Sequence, residues 1–473
     1  MWIELDRKSP LPLMRQLYRA LRQQILGGVL APGRRLPASR ELAASLAVSR
    51  NVVLEAYDLL LAEGFLTARR GSGTYIAAGA TFSGPEHLPA SFPVSQVSMG
   101  YDCPPGIINF RAGTPDLSRF PTRLWLAMVR EVLSMAPEKI LAYGHPEGRE
   151  ELRRAICDYV VAQRQVVCRP EQIVITGGTT QAINIACYLL LGKRQEVVIE
   201  DPITRDIRLI ISNHGGQLYP VAVDNEGMCT DHLPKGLEPA FVYVTPSHQF
   251  PIGGTMPIQR RVDLLRYAER TGAYLVEDDY DSEFRYDGPP LGSLHGLLPD
   301  RVVYIGTFSK TLCPALRIGY LILPPPLIDL GRSRKWHSDL HNEVISQLAL
   351  ARFIEQGHYL RHLQRMRKHY RKRRQEMVNT LEELFGSAAS ILGSAAGLHL
   401  VARFPGRNFT PSFFSVMEGV GVRLYAVTLH AVTPGSHRDQ LLLGYGNLDA
   451  EKIRQGLTLL ARHFDDDRHR EAG

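Results

Sequence analysis

Nothing in this 473-residue chain is apolar for long enough to cross a bilayer. Its first residues, MWIELDRKSPLP, lack the apolar stretch of an export signal. Both absences argue against membrane and secreted classes and for a cytoplasmic protein. Cysteine is scarce. The six residues at 103, 157, 168, 187, 229 and 313 form no CxxC pair and no Cys/His cluster. That pattern excludes a disulfide scaffold, implies reduced thiols, and gives no reason to expect a metal site. Internal repeats and low-complexity tracts are also missing. What remains is a globular composition, 44% hydrophobic and 22% charged, long enough for two or three domains.

The net charge of +7 is unevenly spread. Residues 1–79 hold 11 Lys or Arg against 6 Asp or Glu, so one sixth of the chain carries most of the excess. A small basic segment favours a polyanion partner. Leu13, Leu17, Leu21 and Ile25 make a helical stripe that Ala31-Pro32-Gly33 stops. A second short helix is predicted from Pro37 to Ala43, with Leu42 and Leu46 inward. After a turn at Ala47-Val48, Ser49 is placed to cap a third helix from Arg50 to about Glu63, with Val53, Ala56, Tyr57 and Leu60 toward the core. Phe65 to Ile76 reads as two short strands around Gly71-Ser72-Gly73. Helix, helix, turn, helix and hairpin make a winged helix-turn-helix. Its third helix would offer Arg50 and Asn51 to the major groove of double-stranded DNA. The expected DNA-facing set is Arg34, Ser39, Arg40, Ser49, Arg50, Asn51, Arg69, Arg70, Gly71 and Ser72. Taken singly, each arginine is better read as a solvated surface charge. Grouped on one predicted face, they favour DNA. The segments LAPGRRLPASRELAASLAVSRNVVLEAYDLLLAEGFL and RRGSGTYI resemble the DNA-binding domain of the GntR family.

Residues 80–106 contain five prolines without periodicity and read as a linker. From 107 to 473, apolar strands alternate with helical stretches, which predicts an α/β domain with a mostly parallel central sheet. The polar motifs fall at strand ends, where such sheets bind ligands. Ile173–Thr176 is a predicted strand leading through Gly177, Gly178, Thr179 and Thr180 into a helix, a turn suited to a phosphate. On its own this turn is a weak signal. A second strand ends in Glu277-Asp278-Asp279-Tyr280-Asp281, and a third is followed by Pro246-Ser247-His248-Gln249. Acids in such a place also suit a solvated loop, as His248 and Gln249 suit a surface loop. A pyridoxal ring, however, needs a carboxylate at its nitrogen and a hydroxyl at its phenolic oxygen. A fourth strand, from Val302, ends in Gly306-Thr307-Phe308-Ser309-Lys310, with Arg317 seven residues beyond the lysine. Such a lysine can hold an aldehyde cofactor as a Schiff base, while the hydroxyls and guanidinium take its phosphate.

These residues resemble the fold-type I pyridoxal-phosphate enzymes, the aminotransferase superfamily. Within it, YGHPEGREELRRAI, TPSHQFPIGGTM, EDDYDSEFRYDGPPLGSL and GTFSKTLCPALRIGY resemble the MocR/GabR-type branch of GntR regulators, in which a winged helix is fused to an aminotransferase-like domain. The resemblance spans nearly the whole chain and implies pyridoxal 5'-phosphate as cofactor. Lys310 would form the Schiff base, Asp278, rather than Asp279, would pair with the ring nitrogen, and Tyr280 would bond the ring oxygen. His248 and Gln249 would face the ring. Gly178, Thr179, Thr180, Thr307, Ser309 and Arg317 would cradle the phosphate, and Tyr143 would reach the phosphate of a partner subunit, which implies a homodimer.

The chain departs from that pattern twice. Thr204 stands where relatives often stack an aromatic on the ring, and Leu442 stands where aminotransferases keep a carboxylate-binding arginine. Arg205, Arg208, Arg423 and Arg438 are the candidate substitutes. Tyr359–Arg374, YLRHLQRMRKHYRKRR, is a basic helical run, read first as a solvated helix and second as a further DNA contact. The resulting expectation is a transcription regulator that senses pyridoxal phosphate, or an amine or amino-acid effector, through a domain no longer used as an enzyme. A working aminotransferase with an accessory DNA domain, and a cofactor-free dimerisation scaffold, are the alternatives.

Overall fold

The computed structural model describes residues 3–82, 103–135 and 137–472. The chain divides into two compact units, Met1–Tyr101 and Asp102–Gly473. Most of the expected linker, residues 83–102, lies outside the described residues.

In the first unit, helix α1 (Leu13–Leu26) buries Leu17, Leu21 and Ile25, the stripe read from the sequence. Helix α2 (Ser39–Leu46) buries Leu42 and Ala43, and α3 (Arg50–Ala62) buries Val53, Ala56, Tyr57 and Leu60. These side chains share one apolar core. The α2–α3 turn is tight enough to put Ala47 at φ 50°. Arg7 Nη2 donates to its carbonyl at 2.6 Å. Strands β1 (Leu66–Arg69) and β2 (Gly73–Ile76) pair antiparallel as a wing, and Arg35 bridges to Tyr75. Gly73 has φ +117°, and a Cβ there would lie 2.8 Å from Arg35 Nε, so the wing turn closes only over glycine. Ser49 is the residue before α3 but makes no side-chain capping bond. The expected cap is not formed, and Ser49 stays exposed beside Arg50 and Asn51.

The second unit opens with β3 (Ile108–Asn109) and is built on eight strands. These are β4 (Ile173–Thr176), β5 (Glu196–Asp201), β6 (Gln217–Asp224), β7 (Gly227–Met228), β8 (Phe241–Val244), β9 (Tyr274–Asp279), β10 (Val302–Thr307) and β11 (Gly319–Ile322), in the order β4-β11-β10-β9-β8-β5-β6-β7. The five central strands, β10 to β6 in that order, are mutually parallel. β11 runs against both neighbours and β7 against β6. β4, β8 and β10 carry almost unbroken apolar runs, and β5 and β9 begin apolar and end in acids, all of them buried between covering helices. A second, antiparallel sheet joins β12 (Ser390–Leu392), β13 (His399–Arg403), β16 (Gln440–Gly444) and β15 (Tyr425–Ala426), while β14 (Val422–Arg423) pairs with β3.

The basic run lies on the helix His358–Phe385. Arg367 donates to the Glu283 carbonyl at 2.9 Å and Arg371 to the Tyr286 carbonyl at 3.2 Å. Arg373 bonds the Gly446 carbonyl and the Asp116 carboxylate, and Arg374 bonds the Ser394 carbonyl and Asp287. Four of its arginines therefore bond carbonyls and acids of their own unit, Arg373 from a buried position, while Arg361, Arg365, Lys368, Arg371 and Lys372 stay exposed as on a solvated helix.

The strand that leads to Lys310 leaves no room at Gly306, whose cross-strand partner is Tyr320. A Cβ on Gly306 would run into the Tyr320 ring. Gly306→Ala should therefore cost about 1–3 kcal/mol, read as a lowered urea midpoint for the large unit.

Candidate functional site

Because β4 and β10 both run against β11, the carboxyl ends of β4, β9 and β10 lie along one edge of the sheet. The motifs singled out in the sequence come together there.

At one end of this edge, β4 turns through Gly177 and Gly178 into the helix Thr179–Leu190. Gly178 has φ +103°, and a Cβ on it would sit 2.9 Å from Arg317 Nη2. Gly319 is as tightly placed, its Cβ position being 2.9 Å from the Gly178 Cα. Bare backbone thus presses against a guanidinium at a helix start where no side chain caps the first amides, including those of Thr179 and Thr180. Thr307 Oγ1 donates to Ser309 Oγ at 3.1 Å and accepts from the Ser309 amide at 3.2 Å. Backbone amides, a guanidinium and two hydroxyls make a group whose chemistry fits a phosphate.

At the other end, β9 carries three consecutive buried acids, where a solvated loop was the simpler expectation. Glu277 accepts from the Leu294 and His295 amides at 3.0 and 2.9 Å. Asp279 pairs with Arg164 at 2.7 Å and accepts from the Tyr304 hydroxyl. Asp278 accepts only from the Tyr243 hydroxyl, at 2.5 Å on Oδ2, and its Oδ1 has no partner among the described residues. Asp279 Oδ1 is also unpartnered, but its charge is already met by Arg164. Burial pushes Asp278 up to about 7, against the Tyr243 hydrogen bond that pulls it down. A protonated ring nitrogen fits the free oxygen of Asp278.

Tyr280 donates to the His248 carbonyl at 3.0 Å, and its hydroxyl lies 3.0 Å from His248 Nδ1. That nitrogen is 2.9 Å from Asp281 Oδ1, while His248 Nε2 has no partner among the described residues. Gln249 departs from expectation. It is fully buried, its Nε2 donates to the Pro202 and Phe250 carbonyls at 2.9 and 2.7 Å, and its Oε1 accepts from the Ile252 amide. With its amide consumed by loop packing, Gln249 has nothing left to offer a ring.

Lys310 lies three residues beyond β10, half-buried. A Cβ on Gly113, whose φ is +69°, would be 3.0 Å from its Nζ. Burial pulls the amine below its ordinary value, with Asp281 opposing. A larger share of it is therefore neutral and nucleophilic near neutrality.

Tyr143 is 87% exposed, its ring meeting His341 edge-on at 6.0 Å. Thr204 precedes the helix Arg205–Asn213 and caps nothing. Leu442 is buried with Ile252, Val401 and Val427, against Ala112, Phe250 and Tyr425. In the first unit, Arg34, Arg40, Ser49, Arg50, Asn51, Arg69, Arg70, Gly71 and Ser72 are exposed. Ser39 is half-buried and accepts from Arg50 Nε at 3.2 Å, joining the starts of α2 and α3. Tyr243, Asp281, Gly113 and Arg164 were not found by sequence reasoning. Each looks like an ordinary strand, loop or helix residue until the strands are laid side by side.

The match to known proteins follows the same division. Residues 13–76 match the bacterial regulatory proteins of the gntR family, and residues 105–435 match aminotransferase class I and II. An uncharacterized HTH-type transcriptional regulator, YhdI of Bacillus subtilis, is 36% identical over 96% of each chain. The probable rhizopine catabolism regulatory protein MocR of Rhizobium meliloti is 33% identical over 97% of this chain and 95% of its own. Among solved structures, the α-aminoadipate aminotransferase LysN of Thermus thermophilus, complexed with N-(5'-phosphopyridoxyl)-L-leucine, is 26% identical with a TM-score of 0.70, over 76% of this chain and 92% of that one.

A carboxyl that holds its proton to higher pH when folded than when unfolded makes the fold lose stability as pH rises. Asp278, Glu200, Glu277 and Glu283 are all pushed up to about 7 by burial. Freed of coenzyme, the protein should lose Tm between about pH 5 and pH 8, and Asp278→Asn should lose less over that interval. Parallel curves for the two proteins would assign the effect to the three glutamates instead.

Proposed function

Because the chain belongs to the MocR-like branch of the GntR regulators, which joins a gntR-type winged helix to an aminotransferase class I and II domain, we propose that its large unit senses an amine-bearing small molecule at pyridoxal phosphate and changes how the winged helix engages its operator. The chain is a DNA-binding transcription regulator with a pyridoxal-phosphate domain. Bound there, the coenzyme supplies an aldehyde that condenses reversibly with primary amines.

This chain's residues would divide the work of holding it. Gly178, Thr179, Thr180, Thr307, Ser309 and Arg317 take the phosphate, Asp278 keeps the ring nitrogen protonated, Tyr280 faces the ring oxygen, and Lys310 supplies the resident amine. The half-satisfied, buried Asp278 is the observation that carries this assignment. His248, held by Asp281, orients Tyr280. Lys310, which lies against the Gly113 loop, would be either held by the coenzyme or released from it, and the two conditions would favour two arrangements of the unit, as a sensor requires.

Sensing is favoured over turnover by Leu442, which puts an apolar cluster where an aminotransferase grips its substrate, and by relatives named as regulators. A homodimer is favoured by Tyr143, together with Leu141 at 69% and Met135 at 58% exposure, an apolar edge suited to a second copy.

Three outcomes test this reading. Purified protein should show a visible coenzyme band that Lys310→Ala abolishes while DNA binding persists, whereas protein that stays colourless, with no adduct on hydride trapping, would refute it. Arg50→Ala should weaken operator binding roughly 10- to 100-fold, and the pair Arg69→Ala and Arg70→Ala should flatten the salt dependence by about two phosphate contacts, both measured by titration of DNA from upstream of its own or a neighbouring gene. Sustained keto-acid production from a panel of amino acids would move the assignment to an aminotransferase.

A further inference from the structure

Residues 3–12, ahead of α1, form neither helix nor strand, yet their backbone is fixed. Gln16, near the start of α1, does most of the holding. Its Oε1 accepts from the Asp6 amide at 2.8 Å, and its Nε2 donates to the Asp6 and Leu11 carbonyls at 2.9 and 2.7 Å. The Asp6 carboxylate accepts from the Lys8 amide at 2.8 Å. Ile3 and Leu5 pack against the apolar core of the unit. The segment is therefore an ordered arm.

Arg7 leaves this arm as an exposed side chain and reaches the turn between α2 and α3. There its Nη2 donates to the Ala47 carbonyl at 2.6 Å, joining residues 40 apart in the chain. A guanidinium has five N–H donors, and this bond uses one. Arg22, on α1, has Glu63 at 3.7 Å to answer its charge. Arg7 has no acid paired with it among the described residues.

The place where Arg7 is held gives that charge a partner. Ala47 stands three residues before Arg50, so their Cα atoms are at most about 11 Å apart. In a helix-turn-helix, the second helix of the motif enters the major groove by its N-terminal end while the first crosses the sugar-phosphate backbone. The turn that joins them lies at the lip of the groove. A cation anchored to that turn meets phosphate oxygen and reads no base.

We propose that Arg7 is a DNA-contacting residue, with one N–H holding the α2–α3 turn and the rest of its guanidinium taking a backbone phosphate beside the start of α3. The inference rests on the winged helix as the DNA-binding unit. It extends the binding surface to a segment outside the helices and the wing, and it ties the turn and the phosphate to a single side chain.

The test titrates the full-length protein with DNA from upstream of its own gene and with an unrelated duplex of the same length. Arg7→Gln keeps an N–H donor and loses the charge. It should bind both duplexes more weakly by the same factor, and the steepness of log K against log salt should fall by about 0.9. Its deficit against wild type should therefore shrink roughly threefold between about 50 and 200 mM salt. Arg7→Lys, which keeps the charge, should retain the wild-type steepness. In wild type, where no variant has to fold, DNA should shield Arg7 from phenylglyoxal, read by mass spectrometry. An unchanged salt dependence in Arg7→Gln, a loss confined to the upstream DNA, or Arg7 labelling that DNA does not reduce would overturn the proposal. If Arg50→Ala weakens binding and Arg7→Gln does not, this inference fails while the winged-helix assignment stands.

Discussion

Burying a carboxylate costs several kcal/mol unless something nearby answers its charge, and the large unit buries several of them at the ends of β5 and β9. Most have an internal answer. Glu200 accepts from the Thr245 hydroxyl at 2.6 Å, Glu277 from two backbone amides, and Asp279 from Arg164 and Tyr304. Asp278 is answered by half, through Tyr243 alone. Asp279 also keeps one oxygen unpaired but has Arg164 for its charge, so Asp278, near the half-buried Lys310, is the acid with the least internal answer and the one best suited to a cationic ring.

The sheet makes the arrangement possible. Parallel strands put their carboxyl ends on one edge, so segments more than a hundred residues apart, the Gly177–Gly178 turn and the Thr307–Lys310 loop, become neighbours through β11. The two ends of the edge differ in chemistry. Backbone amides and a guanidinium suit an anionic group, where a side chain on Gly178 would be in the way. The buried acid at the end of β9 suits a cationic one.

Arginine shows how little a residue type says without its surroundings. Arg164 neutralises a buried acid, Arg373 braces a helix on Asp116, Arg317 faces a bare glycine turn, and Arg50 stands exposed at the start of α3 after bonding Ser39. In the sequence all are the same letter. The basic run at 359–374 is the sharpest case, because its charge density suggests a surface for a polyanion and its geometry spends four guanidiniums on carbonyls and acids of its own unit.

Local periodicity was legible where one segment decides its own burial. The stripe from Leu13 to Ile25, the core face of Arg50–Ala62 and the apolar strands before each motif follow from spacing that water and backbone geometry enforce within a few residues. Lys310, Asp278 and Tyr280 could be singled out because their motifs follow or close a strand, and Arg317 because it lies shortly before one. Gln249 was misjudged because its amide is consumed by carbonyls brought up by a loop some fifty residues earlier in the chain, at Pro202. Tyr243, Asp281 and Gly113 carry no local signature, because each meets a residue from another strand or loop. The sequence alone determined which segments are helix or strand and which residue types stand at their ends, since those depend on neighbours along the chain. Only the tertiary structure decided which acid is left without a cation and which glycine lies against the lysine, because charge and hydrogen bonding are settled by neighbours in space.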